Sequence, residues 1–536
     1  MSTENKVNGR ILVADEVNDQ GLEPLRNAGF VVEKMTGLSA QQLVNELASS
    51  DGLIVRSETK ITGEVLNGAS TLRVIGRAGV GVDNIDVPAA TARGIVVMNA
   101  PDGNTITTAE HTIALLVALA RNVPQANSSV KAAQWDRKRF VGAELRGKTV
   151  GIVGLGRIGR AVAQRAAALG MTIVAYDPFI AADQTHDVEI QIATLDDVLT
   201  RADFLTVHTP LTNETRGLVN AAAFTKMKTG ARVINCARGG LIDERALYDA
   251  VISGKIAGAA LDVFEHEPPP ADHPLLSLDQ VIVTPHLGAS TAEAQQAVAV
   301  TVAEQMRDYL LTGALRGAVN MPALGAQESA TLQPYLLLAE SLGRFQAQVI
   351  DSPVREVRLE FAGELVELDA APVTRAFLAG FLRDISARVN VVNAFLIAEE
   401  RGIAVTTSYV RGSTAASAIR VSVTSASGEQ TASASIFRTA EGYREGRITR
   451  IDGFRIEAIP RGHMIVMHNR DVPGVIGKVG SILGDTGINI SAFHLGRRER
   501  GGEAMAIIEI DAPLNQETFD RLSQLDSIVA LRQIEL

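Results

Sequence analysis

The sequence predicts an α/β protein in which two doubly wound, mostly parallel sheets are followed by two smaller α+β units. Short apolar runs alternate with helix-like stretches from residue 10 to about residue 290, a pattern typical of a parallel sheet covered by helices. The composition shifts after a Pro- and Gly-bearing segment at 316–329, and residues 463–536 have a compact βαββαβ pattern. The length of 536 residues agrees, since domains of about 100–200 residues imply three or four of them.

The composition argues against several classes of protein. The hydrophobic fraction of 46% and the charged fraction of 21% are ordinary for a globular chain. A net charge of −10 argues against broad nucleic-acid contact, although a local arginine cluster can still bind a small anion. The first residues lack the apolar core of a signal peptide, and the apolar run at 113–120 is too short to cross a bilayer. The single cysteine, Cys236, allows no intrachain disulfide, which fits a reducing compartment. From the composition as a whole we expect a cytoplasmic protein without nucleic-acid, membrane or metal partners.

The first predicted lobe combines residues 1–98 with residues 291–318. Its predicted strands are the apolar runs at 11–14, 52–55, 72–76 and 94–99. Residues 291–312 carry apolar side chains at helical spacing and contain no proline, so they predict one long helix. Such a helix could return the chain to the first lobe.

The second predicted lobe covers residues 99–290. We predict one helix over 109–130, followed by a basic cluster at 135–140 that either forms an exposed face or crosses to a neighbouring subunit. Six apolar segments separated by helical stretches predict the strands of a doubly wound sheet, at 149–154, 172–176, 203–207, 232–235, 258–261 and 281–283.

The first strand of this lobe runs into a glycine loop with the spacing GxGxxG. Gly154 permits a tight turn, Gly156 lets the backbone approach a pyrophosphate, and Gly159 lets the following helix pack closely. Asp177 ends the next strand, where its carboxylate can accept hydrogen bonds from both ribose hydroxyls. No arginine follows Asp177 to receive a 2′-phosphate. The loop therefore predicts a Rossmann-like unit that binds NAD in preference to NADP.

Three charged side chains follow successive strands of the same unit. His286 comes after the strand VIVTP, where it can act as a base near neutral pH. Glu267 follows the preceding strand and can hold an imidazole in one tautomer. Arg238 follows the strand before that and can bind a carboxylate through two parallel hydrogen bonds.

The order and spacing of these motifs resemble the NAD-dependent D-2-hydroxyacid dehydrogenases over residues 1–318. The resemblance implies that Arg238, Glu267 and His286 form the catalytic triad and that the catalytic lobe is discontinuous. It places phosphate contacts at the glycine loop, Thr209 near the adenosine and Asp262 on the nicotinamide amide. The predicted cofactor contacts are Gly154, Gly156, Arg157, Ile158, Gly159, Asp177, Thr209, Cys236, Ala237, Arg238, Asp262, His286, Gly288 and Val80.

Two arginines of the first lobe suggest a phosphorylated substrate. Arg56 and Arg77 lie just past strand ends, and a guanidinium matches the geometry of phosphate. The backbone N–H groups around Gly79 and Gly81 can form a nest for a carboxylate. The predicted substrate-binding residues are Arg56, Ser57, Arg77, Gly79, Asn104 and Arg238.

The remaining residues resemble two accessory domains of the long members of this family. Residues 320–456 resemble the intervening domain, through Val391–Ala394 and Ala398–Ile403. Residues 461–536 resemble a ferredoxin-like ACT domain, through Asp471–Gly477 and Thr486–Ile490. ACT domains bind amino acids, and we expect an L-serine site at a subunit contact, formed by Asn469, Asp471 and Asn489.

Together these resemblances imply NAD-dependent oxidation of 3-phospho-D-glycerate to 3-phosphohydroxypyruvate, the first step of serine synthesis, by a homodimer or homotetramer. A glyoxylate or hydroxypyruvate reductase of the same family is the alternative enzyme. A non-enzymatic corepressor that senses NAD is the alternative of another class. The tail could also serve only for dimerisation.

Overall fold

The computed structural model contains four sheets, each with its own helices. It describes residues 8–180, 188–322, 326–385, 388–411, 418–439, 442 and 444–536. Parts of the predicted lobes and domains lie outside the described residues, namely 1–7, 181–187, 386–387, 412–417, 440–441 and 443. Residues 323–325 of the predicted linker also lie outside them. Among the described helices, none is both long and apolar enough to cross a bilayer.

The first sheet has five parallel strands in the order β2-β1-β3-β4-β5. They are β1 (Arg10–Val13), β2 (Val31–Lys34), β3 (Gly52–Val55), β4 (Val74–Arg77) and β5 (Val96–Asn99). The accompanying helices are α1 (Glu23–Asn27), α2 (Ala40–Leu47), α3 (Gly63–Leu66) and α4 (Val87–Ala92). Strands β1 and β3 are buried nearly throughout, which explains their continuous apolar sequences.

The second sheet has seven parallel strands in the order β12-β11-β10-β9-β6-β7-β8. They are β6 (Thr149–Val153), β7 (Thr172–Tyr176), β8 (Gln191–Ile192), β9 (Phe204–Val207), β10 (Ala231–Asn235), β11 (Ile256–Leu261) and β12 (Val281–Val283). Its helices are α5 (Thr105–Arg121), α6 (Val123–Lys131), α7 (Arg157–Ala168), α8 (Leu195–Arg201), α9 (Ala221–Lys226) and α10 (Glu244–Ile252). The strand order reverses direction at β6, and ligands of such sheets bind at this switch point.

The prediction of one helix over 109–130 is wrong, because the helix is interrupted at Asn122, between α5 and α6. Asn122 adopts φ 52°, and Pro124 is the second residue of α6. Proline lacks the N–H that would continue the helix, and its ring would clash with the carbonyl of Ala120. That carbonyl instead accepts a hydrogen bond from Ala143 N at 2.8 Å.

After the second sheet the chain returns to the first. Helix α11 (Ala292–Thr312) packs its apolar face on the first sheet, where Val298, Val302 and Met306 share one buried cluster with Ile11 and Val74. The last helix before the accessory domains therefore completes the core of the N-terminal lobe.

The third sheet is mixed, in the order β14-β13-β15-β16-β17-β18, with only β13 and β14 parallel. Its strands are β13 (Val354–Ala362), β14 (Ala404–Val410), β15 (Ala418–Ser425), β16 (Gly428–Arg438), β17 (Arg444–Ile451) and β18 (Phe454–Ala458). Helices α12 (Ala326–Val349), α13 (Ala371–Phe381) and α14 (Ala394–Glu400) belong to the same unit. Helices α12 and α13 approach closely, since a Cβ at Gly343 would lie 2.1 Å from the carbonyl oxygen of Phe377.

The fourth sheet is antiparallel, in the order β20-β21-β19-β22. Its elements are β19 (His463–Arg470), α15 (Val475–Asp485), β20 (Ile490–Arg497), β21 (Glu503–Ile510), α16 (Gln516–Ser523) and β22 (Ile528–Glu535). This is the predicted ferredoxin-like unit. With two parallel lobes and an α+β unit before it, the predicted fold class is confirmed.

The accessory units contact each other and the first lobe. Met464 and Ile507 of the fourth sheet belong to the same buried cluster as residues of the third. At the other side of the third unit, Asn390 Nδ2 donates to Gly94 O at 2.7 Å, and Val392 is buried in the core of the first lobe. The described chain is thus packed continuously from the fourth sheet to the first.

Candidate active site

A cavity of about 780 Å³ lies between the carboxyl ends of the two parallel sheets. Its walls come from the segments that follow strands β3, β4 and β5 of the first lobe and β6, β9, β10, β11 and β12 of the second. The carboxyl ends of parallel strands meet at one edge of a sheet, so residues far apart in sequence converge there.

Most of the predicted site residues line this cavity. Those that do are Arg56, Ser57, Arg77, Gly79, Val80, Asn104, Ile158, Thr209, Cys236, Ala237, Arg238, Glu267, His286 and Gly288. The predicted residues that are not part of its lining are Gly154, Gly156, Arg157, Gly159, Asp177 and Asp262.

The glycine loop joins β6 to α7 with the predicted geometry. Gly154 has φ 92°, which favours glycine, and a Cβ at Gly159 would lie 2.1 Å from the carbonyl oxygen of Gly154. Helix α7 begins at Arg157, so its unpaired N–H groups face the loop. Asp177 at the end of β7 accepts from Leu155 N at 2.9 Å, which ties its carboxylate to the loop.

His286 and Glu267 form a hydrogen-bonded pair. His286 Nδ1 lies 2.7 Å from Glu267 Oε2, and Glu267 Oε1 accepts from Phe264 N at 3.1 Å. Burial is the largest single influence on this carboxyl and opposes its ionisation, but the hydrogen bond and charge of His286, together with the hydrogen bond from Phe264 N, hold the pKa of Glu267 below its usual range. An ionised carboxylate only accepts, so Nδ1 carries the hydrogen and Nε2 remains free to take a proton.

Asp262 holds the loop that carries His286. Its carboxylate accepts from the N–H groups of Leu287 and Gly288, both at 2.8 Å, and its backbone carbonyl accepts from His286 N at 2.9 Å. Its side chain has no exposed surface. The geometry therefore gives Asp262 a role in holding this loop, and its predicted contact with the nicotinamide amide stays a prediction.

Arg238 bridges the two lobes. Its Nε lies 3.2 Å from Asp83 Oδ2 of the first lobe, and its Nη1 donates to Ala237 O at 2.7 Å. A Cβ at Gly81 would lie 2.1 Å from Arg238 Nη2, so the guanidinium rests directly on glycine backbone. This places a permanent cation within a few ångströms of the first lobe.

Arg77 lies beside it and is more deeply buried. Burial, together with the positive charge of Arg238, lowers the pKa of Arg77 to about 10. A Cβ at Gly79 would lie 1.8 Å from Arg77 Nη1, and Arg77 Nε has no hydrogen-bond partner within the described chain. A buried cation with an unused donor is suited to an anionic ligand.

Further buried polar atoms around the cavity lack partners among the described residues. They are His208 Nδ1, Thr209 Oγ1, Asn104 Oδ1 and Thr105 Oγ1. Burial lowers the pKa of His208 to about 4, so its imidazole is neutral at physiological pH. Unsatisfied donors and acceptors beside a glycine loop fit the polar groups of a dinucleotide.

Several residues of the site were missed by the sequence analysis. Lys60 lines the cavity, and buried Asp15 accepts from Arg56 N at 2.6 Å and Thr59 N at 3.1 Å, which shapes the loop between them. Asn84 fastens the same loop by donating to the carbonyl of Arg56 at 2.7 Å. A lone Asp or Asn has no local signal in sequence, because its partners lie 25 to 44 residues away.

The three predicted regulatory residues do not meet within one chain. Asn469 pairs with Ala504 near one end of β21, whereas Ile490, next to Asn489, pairs with Ile510 at the other end. Six residues of strand separate them, about 20 Å at about 3.4 Å per residue. Asp471 lies with Asn469 and accepts from Arg497 Nη1 at 3.2 Å. A single site containing all three therefore requires a second subunit.

Comparison with known proteins places this architecture in a family. The family model for the D-isomer specific 2-hydroxyacid dehydrogenase NAD-binding domain matches residues 113–288. Models for the D-3-phosphoglycerate dehydrogenase intervening domain and the ACT domain match 331–451 and 463–527. D-3-phosphoglycerate dehydrogenases from Bacillus subtilis and Methanocaldococcus jannaschii are 43% and 44% identical over 98% of this chain and 99% and 100% of their own lengths.

The chain belongs to the D-3-phosphoglycerate dehydrogenase family. Its two lobes also resemble solved structures: the TT0316 protein of Thermus thermophilus is 37% identical, with a TM-score of 0.53, over 58% of this chain and 99% of its own. A D-lactate dehydrogenase from Aquifex aeolicus complexed with NAD and lactic acid is 27% identical, with a TM-score of 0.51, over 59% and 100%. Membership of this family confirms the predictions of an NAD-dependent oxidoreductase and of NAD as its cofactor.

Cys236 allows a direct test of how closed the cavity wall is. Burial raises the pKa of its thiol to about 12, so at pH 8 only about one molecule in ten thousand carries the reactive thiolate. We expect negligible reaction of the native protein with a disulfide reagent such as dithionitrobenzoate at pH 8. In guanidinium chloride the same sample should release one equivalent per chain, because Cys236 is the only cysteine. Rapid stoichiometric reaction of the native protein would show that the thiol is exposed.

Proposed function

We propose that this chain oxidises 3-phospho-D-glycerate to 3-phosphohydroxypyruvate with NAD as the oxidant, the first step of serine synthesis from a glycolytic intermediate. The observation that carries the proposal is the convergence of the His286–Glu267 pair with three arginines, Arg56, Arg77 and Arg238, on one cavity. The substrate carries one carboxylate and one phosphate, and a basic cavity in a chain of net charge −10 suits such an anion.

We further propose that successive segments of the chain have separate roles. Residues 1–98 and 291–318 form the substrate-binding lobe, and residues 99–290 bind the dinucleotide. Residues 320–456 form the intervening regulatory domain and residues 461–536 the effector-binding domain. The core shared by α11 and the first sheet supports the discontinuous first lobe.

In this proposal the glycine loop and the start of α7 hold the cofactor phosphates, and Asp177 receives the ribose hydroxyls. Thr209 and the segment Cys236–Arg238 contact the rest of the dinucleotide, and Thr209 Oγ1 is available because it has no partner among the described residues. Bound at these residues, NAD would supply the acceptor for the hydride that leaves C2 of the substrate. Arg157 Nε lies 2.6 Å from Asp102 Oδ1. Arg157 would have to give up this ion pair in order to bind a cofactor phosphate.

His286 acts as the general base. Its Nε2 takes the proton of the C2 hydroxyl while Nδ1 keeps its hydrogen bond to Glu267. The carboxylate orients the ring before the reaction and stabilises the imidazolium that forms. Because its pKa is lowered, the Glu267 carboxylate stays charged throughout the pH range in which His286 can act as a base.

The arginines orient the two anionic ends of the substrate. Arg238 binds the carboxylate and stabilises charge on the oxygen at C2 as the carbonyl forms. Asp83 holds the guanidinium in place and competes with the substrate carboxylate for it. Arg56 and Arg77 receive the phosphate, with Lys60 as a third cation on the same wall.

Two alternative functions are less well supported. A glyoxylate reductase from Paecilomyes thermophila is 28% identical, with a TM-score of 0.54, over 58% of this chain, so it shares the two lobes but not the accessory units. The triad does not exclude a corepressor, but the match of residues 463–527 to the ACT domain argues against one. The presence of both accessory domains and of the cationic wall favours the phosphorylated substrate.

The fourth sheet suggests a small-molecule effector, and we propose that it is L-serine. Asn469 and Asp471 of one subunit would face Asn489 of another, which requires a homodimer or homotetramer. Asn469 Oδ1 is buried without a partner within the described chain, which leaves an acceptor free for an ammonium or hydroxyl group. We also propose that the enzyme works in the cytoplasm.

The decisive assay for the proposed function is NADH formation from 3-phosphoglycerate, followed by absorbance, with His286→Ala as the matched variant. Loss of a positioned base should lower kcat by roughly 10²–10⁴-fold and leave NAD affinity nearly unchanged. A wild-type protein that binds NAD but forms no NADH would favour the corepressor. Near-normal turnover by the variant would remove His286 from the mechanism.

Phosphate selection is tested with two substrates that differ only in that group. Arg56→Ala and Arg77→Met should weaken kcat/KM for 3-phosphoglycerate about 10- to 150-fold, because a charge-assisted hydrogen bond contributes about 1.5–3 kcal/mol. Turnover of D-glycerate, which lacks the phosphate, should change little. Equal losses with both substrates would mean that these arginines serve the structure of the lobe.

The serine site is tested on the full-length protein by calorimetry and steady-state rates. We expect wild type to bind L-serine with loss of activity, and Asp471→Ala and Asn489→Ala each to abolish the binding heat while retaining basal turnover. Inhibition requires serine to bind an inactive state more tightly than the active one. Unchanged heats in both variants would place any serine site elsewhere, and binding without a change in rate would indicate a role in assembly.

A further inference from the structure

Helix α5 presents two polar side chains to the loop that carries the base. His111 Nε2 lies 3.1 Å from Asp262 Oδ1 and 3.3 Å from Thr284 Oγ1. Thr108, three residues earlier, donates from Oγ1 to Gly288 O at 2.8 Å. Residues three apart lie on one face of a helix, so α5 contacts both sides of His286 in the segment 284–288.

The hydrogen between His111 and Asp262 can be assigned to the imidazole. Burial is the largest single influence on Asp262 and opposes its ionisation, but the hydrogen bonds from His111, Thr284 and Leu287 N and the charge of His111 together hold the pKa of its carboxyl below its usual range. The carboxylate is therefore an acceptor only, and His111 Nε2 must be the donor. The Asp262 side chain has no exposed surface while His111 is in place, so His111 supplies a hydrogen bond that solvent does not.

The position of the base depends on this carboxylate. Asp262 binds the N–H groups of the two residues after His286, and its carbonyl binds the N–H of His286 itself. His286 has φ 55°, a left-handed conformation that a residue with a Cβ keeps only when its surroundings enforce it. His111 is not part of the cavity lining, so it acts on the His286 segment through Asp262 and Thr284.

We propose that His111 is a positioning residue for the base: it charges and fixes Asp262, which in turn holds His286 in its strained backbone conformation. The inference rests on the proposed role of His286 and adds a residue of α5 to those that the proposed reaction depends on. Thr108 supports the same loop from the other side.

The test compares three variants of His111 in the full-length enzyme. His111→Leu removes the donor at similar volume, whereas His111→Gln can place an amide donor near the original Nε2. Loss of a hydrogen bond to a buried charge should lower kcat about tenfold or more in the Leu variant, with KM for substrate and the Kd for NADH within about threefold. The Gln variant should retain kcat within about threefold. His111→Asn, whose shorter amide does not reach Asp262, should behave like Leu and replaces it if Leu fails to fold.

A double-mutant cycle shows whether the effect passes through the base. In a His286→Ala background, His111→Leu should cause no further loss of kcat, since residues that act as a unit are not additive. The proposal would be overturned if kcat of the double variant fell by the product of the two single-variant decreases. It would also be overturned if the Leu variant had unchanged kcat, or if the Gln and Leu variants lost kcat equally. The wild-type substrate assay is separate: if it shows a different hydroxy acid as substrate, the cycle is run with that acid.

Discussion

The buried carboxylate of Asp262 is the interaction on which the geometry of the active site depends. It joins helix α5, the end of β11 and the segment after β12 through hydrogen bonds to His111, Thr284, Leu287 and Gly288. A charge with no exposed surface is stable only when it is fully hydrogen-bonded, so the surrounding groups are held in one arrangement. That arrangement directs the His286 ring towards Glu267 and the cavity.

Local charge in the cavity is opposite to the charge of the whole chain. The net charge is −10, yet Arg56, Lys60, Arg77 and Arg238 share one cavity. Burial makes the cationic form of Arg77 costly, which its lowered pKa reflects, and an anionic substrate would offset that cost. Asp83, Glu265 and Glu267 are carboxylates in the cavity lining, and the bond of Asp83 to Arg238 crosses between the lobes. The proposed ligand of the substrate carboxylate, Arg238, is therefore also an ion-pair contact between the two lobes.

The accessory units are in direct contact with the catalytic part. Val392 is buried in the core of the first lobe, and Asn390 binds the turn at Gly94 that leads into β5. At the other end of β5, Asn99 donates to the carbonyl of Val80 in the cavity wall. Contact alone transmits nothing, since an effector must favour one of two arrangements.

The sequence by itself determined the fold class, the glycine loop, and the order of Arg238, Glu267 and His286, because strand periodicity and motif spacing are local properties. The tertiary structure decided which groups meet. It broke the predicted helix at Asn122, placed Asn489 at the far end of β21 from Asn469, and gave Asp262 its role in holding the His286 loop. The partners His111 and Asp262 are 151 residues apart. A pairing over that distance has no periodic signal, since it depends on how α5 packs beside β11 and on which polar groups are then left to satisfy one another.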